Sequence, residues 1–589
     1  MAVESGIEQS KVEQLRRILR YLRPYTGQAA QLMLAMLLAM VLSLLDPLIV
    51  AFLIDHVLVQ RLPDLFNVLM AILLALAVFG GAFRVISSYL YSYVSQRILF
   101  DVRNELFRHL ERQPLSFYSA RKSGEILSRI NNDVGALQEL ASGVAVSVVA
   151  DLLTVVGVLG ILLLMNWKLC LVALAVVPLF AVVVNLFSRR VRQQSRTVRE
   201  KVADITAFFQ EILPAIGLVQ SYGREAQEAE RLETKGREMI ALRLRVALLV
   251  AGSATLIALI GACGPLLVLW VGGQDAIRGS LSLGTLIAFY TYVGRLLSPI
   301  YRLAQVNIQI QSGLASVDRI FEYLDIVPEI ADRPGACELS GVRGEIVFRD
   351  VWFGYASSRP VLKGLDLRIA PGETVALMGP SGAGKTTVVN LLCRFYDAQR
   401  GEIRIDGAEL RELTLASLRR AIALVSQEAV IFHASIQDNL KYARVDAGEL
   451  EVVAAAKAAQ LHEFVMALPE GYETVVGDRG VRLSGGQRQR VAIARAILKD
   501  ARIVIFDEAM SMVDSALERN IQEEVKNLFK GRTILMIAHR PSVALGADRI
   551  IVLHDGRVEA DGTHDELSAR CHLYGQLVNV LPLTGSAGN

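Results

Sequence analysis

The chain has 589 residues, too many for one hydrophobic core, so several domains are expected. Apolar residues make up 53% and mean hydropathy is +0.40, which excludes an ordinary soluble protein throughout. With 62 Lys and Arg against 59 Asp and Glu, the net charge of +3 speaks against a nucleic-acid-binding protein.

The apolar excess lies before about residue 312, and the chain after Gly341 reads as a soluble α/β domain. A bilayer-crossing helix needs roughly 20 mostly apolar residues. Six windows qualify: Ala29–Ile54, Leu65–Tyr93, Leu140–Met165, Leu169–Phe187, Val246–Val271 and Leu281–Ile300. The third and fourth are joined only by Asn166-Trp167-Lys168, read as a tight hairpin with an interfacial aromatic.

Positive charge sets the orientation. Arg16, Arg17, Arg20 and Arg23 precede the first span, the segment from Arg97 to Arg129 is basic, and Arg189, Arg190, Arg192, Arg196, Arg199 and Lys201 follow the fourth. The positive-inside rule places these segments and both termini in the cytosol, and the first ~25 residues lack the apolar stretch of a cleavable signal. Arg97–Arg112 and Phe187–Phe209 read as helices that continue the second and fourth spans beyond the bilayer. The turns at their tips, near Ser116–Glu125 and Leu213–Gly223, are candidate contacts with the soluble half.

Charged residues inside spans are expensive and mark function by default. Asp46, Arg84, Asp151, Arg295 and Arg302 are such residues. Arg84 and Arg295 are candidates for binding an anionic head group, with helix–helix pairing or snorkelling as the equal alternative. The five cysteines are scattered, in no metal-binding spacing, which suits a reducing compartment.

In the soluble half, the apolar run Thr374–Met378 reads as a buried strand. It leads into Gly379-Pro380-Ser381-Gly382-Ala383-Gly384-Lys385-Thr386, and a helical pattern begins at Thr387. Strand, glycine-rich loop and helix in this order form a phosphate-binding loop. Backbone N–H groups curl around nucleotide phosphates, Lys385 reaches the β/γ-phosphates and the Thr386 hydroxyl ligates Mg²⁺. About 120 residues on, Ile503–Phe506 ends in Asp507 and Glu508. Asp507 would hold Mg²⁺, and Glu508 would polarise a water toward the γ-phosphate. Leu483-Ser484-Gly485-Gly486-Gln487-Arg488-Gln489 forms a second anion-binding helix start, which one nucleotide does not need. The economical reading is that it serves the nucleotide of a second copy.

These residues resemble the ATP-binding cassette transporters. Leu483–Gln487 is similar to their signature, and six spans followed by one cassette resemble a half-transporter of the lipid-flippase and multidrug-exporter branch. The resemblance implies a type I exporter fold: a membrane α-helical domain with six transmembrane helices, plus a cytosolic α/β P-loop ATPase domain. It implies a homodimer with two ATP and Mg²⁺, each ATP held between the phosphate loop of one copy and Ser484, Gly485, Gly486 and Gln487 of the other. It implies export or flipping of a lipid or amphipathic substrate across a bacterial inner membrane. Carried over by position, Tyr355 stacks on adenine, Gln427 senses Mg²⁺, His539 contacts the γ-phosphate and Asp514 communicates across the dimer. The expected division is an elbow over 1–27, a transmembrane domain over 28–325, a linker over 326–341, the nucleotide-binding domain over 342–581 and a disordered tail over 582–589. Met510, Met512, Asp478 and Pro541 depart from the commonest family pattern and touch communication between sites more than nucleotide chemistry.

Overall fold

A computed structural model describes residues 16–17, 20–356, 359–477, 483–507, 529–538 and 544–579. The chain forms two compact units. The first comprises residues 1–110 and 124–326, the second 111–123 and 327–589.

The first unit is helical. Its long helices are α1 (Thr26–Phe52), α2 (Pro63–Glu111), α3 (Ala145–Leu174), α4 (Val176–Ile212), α5 (Glu225–Ile277) and α6 (Leu283–Leu324). Four continuous stretches are long and apolar enough to cross a membrane: Arg20–Leu58, Pro63–Glu111, Val146–Ile212 and Glu225–Ile277. The third, 67 residues, would be ~100 Å long if straight, about three bilayer cores. It breaks at Asn166 (φ −161°, ψ 102°), where the Asn166 carboxamide oxygen accepts from the N–H groups of Lys168 at 3.0 Å and Leu169 at 3.2 Å. Asn166 therefore caps a new helix, and the fourth apolar window begins in α3 and runs on into α4. In α6, Arg295 and several Thr and Tyr residues dilute an otherwise apolar run.

Helices α2 and α4 run without a break through their basic C-terminal parts, as the sequence suggests. Lys201 on α4 donates to Glu238 on α5 at 2.7 Å, which ties the polar ends of the two helices together. Deeper along the same pair, Phe180 and Val184 pack with Ile260, so one antiparallel register persists into the apolar part. Of the two expected tips, the first holds a short helix, Leu115–Ser119, with Phe117 buried. It groups with the second unit, where Ser116 faces Glu329 at 3.5 Å. The other holds Ile216–Ser221 and belongs to the first unit.

The second unit carries two sheets. A four-stranded antiparallel sheet has the order β2-β1-β4-β5, from β1 (Ile346–Phe353), β2 (Leu362–Ile369), β4 (Arg400–Ile405) and β5 (Ala408–Glu409). A six-stranded sheet has the order β10-β9-β3-β8-β7-β6. It is built from β3 (Thr374–Met378), β6 (Ile422–Val425), β7 (Ile503–Asp507), β8 (Thr533–Ile537), β9 (Arg549–His554) and β10 (Arg557–Gly562), all parallel except β10. The central strands are apolar on both sides, as a sheet covered on two faces requires. Alternate residues divide between two cores. Val375, Leu377, Ile503 and Ile505 face one, and Ala376, Met378, Val504 and Phe506 the other.

Cys393 lies just past the helix that follows the phosphate loop, and burial pushes its thiol up to about 12. Cys337 is exposed. At pH 8, iodoacetamide is therefore expected to label Cys337 within minutes and Cys393 only after unfolding, as peptide mass spectrometry would read. A thiol held protonated by folding adds stability that is complete below its unfolded value of about 8.5 and is lost as pH rises toward 12.

Candidate nucleotide site and membrane cavity

Helix α7 (Lys385–Leu392) starts where β3 ends, and the loop between them depends on glycine at particular points. A Cβ on Gly379 would sit 2.2 Å from the Leu553 carbonyl oxygen, and Gly384 caps α7 with φ +104°. Only glycine meets both demands without moving a neighbouring strand. The Lys385 amine is buried within this loop and donates to the carbonyls of Gly379 at 2.8 Å and Pro380 at 3.0 Å. Its ammonium thus lies along the loop from which backbone N–H groups emerge. Ser381, Gly382 and Thr386 are exposed, whereas Ala383 and Thr387 are buried.

Because β3, β6, β7 and β8 are parallel, their carboxyl ends share one edge. The phosphate loop follows β3, Gln427 follows β6 by two residues, and Asp507 ends β7 opposite Ile537 of β8. The sheet therefore brings together segments 379–387, 427 and 507. Glu508, Asp514 and His539 lie outside the described residues. Thr386, Gln427 and Asp507 all offer oxygen, the donor type a hard cation such as Mg²⁺ takes. Among the described residues no three His, Cys, Asp or Glu side chains converge.

Tyr355 is half-exposed and held edge-on by Phe353 (ring centroids 5.0 Å apart) and Tyr396 (5.2 Å). Its hydroxyl accepts from Asn390 at 3.0 Å and lies 3.3 Å from the Thr387 hydroxyl. Two residues of α7 thereby set the ring's distance from the phosphate loop. Sequence reading singled out Tyr355 but missed Asn390 and Tyr396; the one signal for Asn390 was its place one turn beyond Thr386.

Helix α8 (Gly485–Lys499) begins with a reciprocal cap. The Ser484 hydroxyl accepts from Gln487 N–H at 3.2 Å, and the Gln487 side chain accepts from Ser484 N–H at 2.8 Å. Helices α7 and α8 pack on opposite faces of the six-stranded sheet. Val388, Val389 and Leu391 of α7 belong to one core, and Val491, Ile493 and Ala494 of α8 to the other.

In the membrane unit, the intramembrane charges are largely paired. Arg302 forks onto Asp151, its Nε lying 2.9 and 3.1 Å from the two carboxylate oxygens. Arg295 donates to the Ser43 carbonyl and lies 3.5 Å from Asp46, so it ties α6 to α1. Among the described residues Arg84 reaches only Gly80 O of its own helix, at 3.4 Å. A cavity of about 560 Å³ opens among α1, α2 and α3, with Arg84, Ser87, Tyr91 and Arg302 on its wall. A neighbouring one of about 460 Å³ shares Ser87, Tyr91 and Arg302 and adds Glu139. Both candidate arginines thus border the α1–α2 region, but only Arg84 is on the cavity wall.

Residues 31–300 match the model of the ABC transporter transmembrane region, and residues 362–511 match the model described as ABC transporter. The chain is 36% identical to the ATP-dependent lipid A-core flippase of Syntrophus aciditrophicus, over 95% of this chain and 93% of that protein. It is 34% identical to a putative multidrug export ATP-binding/permease protein of Bacillus subtilis, over 94% and 97%. Among solved structures, a bacterial Atm1-family ABC exporter with ATP bound superposes with a TM-score of 0.81 at 28% identity, covering 96% of this chain and 99% of that one.

Proposed function

The chain belongs to the ABC transporter family, an integral membrane exporter with a cytosolic ATPase unit, and we propose that it works as a homodimer moving a lipid or amphipathic molecule from the cytosolic side of a bacterial inner membrane. The observation that carries the dimer is the position of α7 and α8 on opposite faces of one sheet. The phosphate loop of a chain and the capped N-terminus of its own α8 then serve different nucleotides. Two copies placed head to tail let each α8 N-terminus meet the other's phosphate loop, closing two sites at once.

At each site Tyr355 stacks on the base, the loop N–H groups and Lys385 hold the phosphates, and Ser484 to Gln487 of the second copy cap them. Mg²⁺, when bound to Thr386, Asp507 and Gln427, supplies charge neutralisation at the phosphates. Glu508 takes the proton of the attacking water, His539 contacts the γ-phosphate, and Asp514 communicates with the second copy. Closing and hydrolysis alternate the membrane unit between inward-open and outward-open forms, with Arg84, and Arg295 if its pairing opens, meeting an anionic head group.

Relatives named as a lipid A-core flippase and as a putative multidrug exporter favour the amphipathic cargo. The cavity's mostly apolar wall suits a multidrug pump as a second reading. ATPase rate in lipid nanodiscs, against lipid A, phospholipids and amphipathic drugs, separates the two. Stimulation confined to lipids is the expected result; broad stimulation by unrelated drugs would support the second reading. An ATP-gated channel of the same architecture would instead pass ions without needing Glu508.

A further inference from the structure

The two membrane cavities carry a particular charge balance. Their ionisable wall residues are Arg84, Arg302, Asp46, Asp151 and Glu139. Arg302 is forked onto Asp151, and Asp46 lies against Arg295. Once these pairs are set aside, one cation and one anion remain: Arg84 and Glu139. Among the described residues Glu139 forms no ion pair, and Arg84 bonds only within its own helix.

Glu139 is held toward the cavity by local geometry. It opens the π-helical turn Glu139–Val144, directly before α3. Gly143, one turn on, leaves room for it. A Cβ built there would meet Glu139 Oε1 at 2.6 Å and the Tyr91 hydroxyl at 3.1 Å, so carboxylate and phenol converge over that glycine. Arg84, Ser87 and Tyr91 follow the i, i+3, i+7 spacing of one face of α2. Arg84 and Tyr91 stand two helical turns apart on that face, about 10 Å of axis, with Ser87 between them.

We propose that these two adjoining cavities, which share Ser87 and Tyr91, together receive a zwitterionic phospholipid headgroup, with phosphate on Arg84 and ammonium on Glu139 and the Tyr91 ring. The inference rests on the exporter reading and narrows its cargo. Arg84 stands inside a span, where an ion without its counter-charge is costly, and Glu139 stands just outside the third, so a ligand bearing both signs is favoured over one bearing either. A polyanionic lipid would find one uncommitted arginine and a repelling carboxylate. A second copy of the chain doubles both signs and leaves the balance unchanged. The tyrosine supports the assignment, because an aromatic face attracts a quaternary or primary ammonium.

The test uses the purified full chain in non-ionic detergent micelles, titrated with phosphatidylethanolamine or phosphatidylglycerol, with ATPase stimulation as the readout. Phosphatidylethanolamine is expected to stimulate at the lower concentration. Glu139→Gln is expected to raise its half-maximal concentration about tenfold, as loss of one charge-assisted contact implies, and to leave phosphatidylglycerol unchanged. Arg84→Gln is expected to weaken both lipids, and Glu139→Lys to reverse the preference. Equal response to the two lipids in the unmodified protein, or equal loss of both in Glu139→Gln, would overturn the headgroup assignment while leaving the exporter reading in place. An ATPase that responds to drugs and to no lipid would overturn the lipid reading and this inference with it. The comparison of lipids on the unmodified chain stands even if a variant fails to fold.

Discussion

Lys385→Ala should remove nucleotide binding and with it all ATPase activity, a loss of at least about 10²–10³ in turnover on the scale of a single preorganised charge in a reaction site. The size of the effect follows from where the amine sits. It is buried against the Gly379 and Pro380 carbonyls, so its charge is held in place by the loop rather than by a flexible stem in water. A preorganised ammonium beside phosphate oxygens costs nothing to orient when the nucleotide arrives. Alanine leaves two loop carbonyls without their donor, and the loop itself is expected to loosen. Binding of a fluorescent ATP analogue to the purified protein checks this. Binding at unchanged affinity would remove Lys385 from the site.

Glu508→Gln has a different expected signature. The amide keeps the size of the side chain and loses the base, so hydrolysis should fall by about 10²–10⁴ while ATP binding persists. The protein should then accumulate with nucleotide trapped and two copies held together. Single-turnover hydrolysis and retention of labelled ATP after gel filtration measure the two halves of this expectation. Normal turnover in the purified variant would move the catalytic base elsewhere. Together the two variants separate holding the phosphates from attacking them. They also distinguish a transporter that needs hydrolysis from a channel that needs only binding.

Motifs whose meaning is local were legible in advance. The phosphate loop is one strand end, one turn and one helix start, and its glycine positions state their own backbone demands. The windows in α1 to α5 were legible because about 20 apolar residues in a row match the thickness of a bilayer core, whereas the sixth, in α6, is not among the described stretches that long and apolar. The Asn166 break was also readable, since a short polar residue between two apolar runs caps the second of them. The membrane charges were a different case. Arg295 and Arg84 look alike as single basic residues in apolar windows, but one is tied to Ser43 and Asp46 from some 250 residues away and the other is not. Glu139 escaped notice because it stands one residue before an apolar window and beside other polar residues. Only the π-helical turn and the gap at Gly143 aim it at Tyr91.

The sequence by itself determined the chemistry available to this protein: a phosphate-gripping loop, an acidic strand end, a capped helix start and a set of membrane-length apolar runs. Each depends on residues within a few positions of one another, where backbone geometry alone sets spacing. The tertiary structure decided which of these share a site. Alternation of side chains along β3 and β7 sent α7 and α8 to opposite faces of the sheet, which is what supports the proposal that they serve two nucleotides. Packing of α1 against α6 paired Arg295, while Arg84 and Glu139 line two adjoining cavities. Such pairings depend on helix rotation and register across hundreds of residues. A periodic pattern says which face of a helix is buried, but not which charge on another helix it will meet.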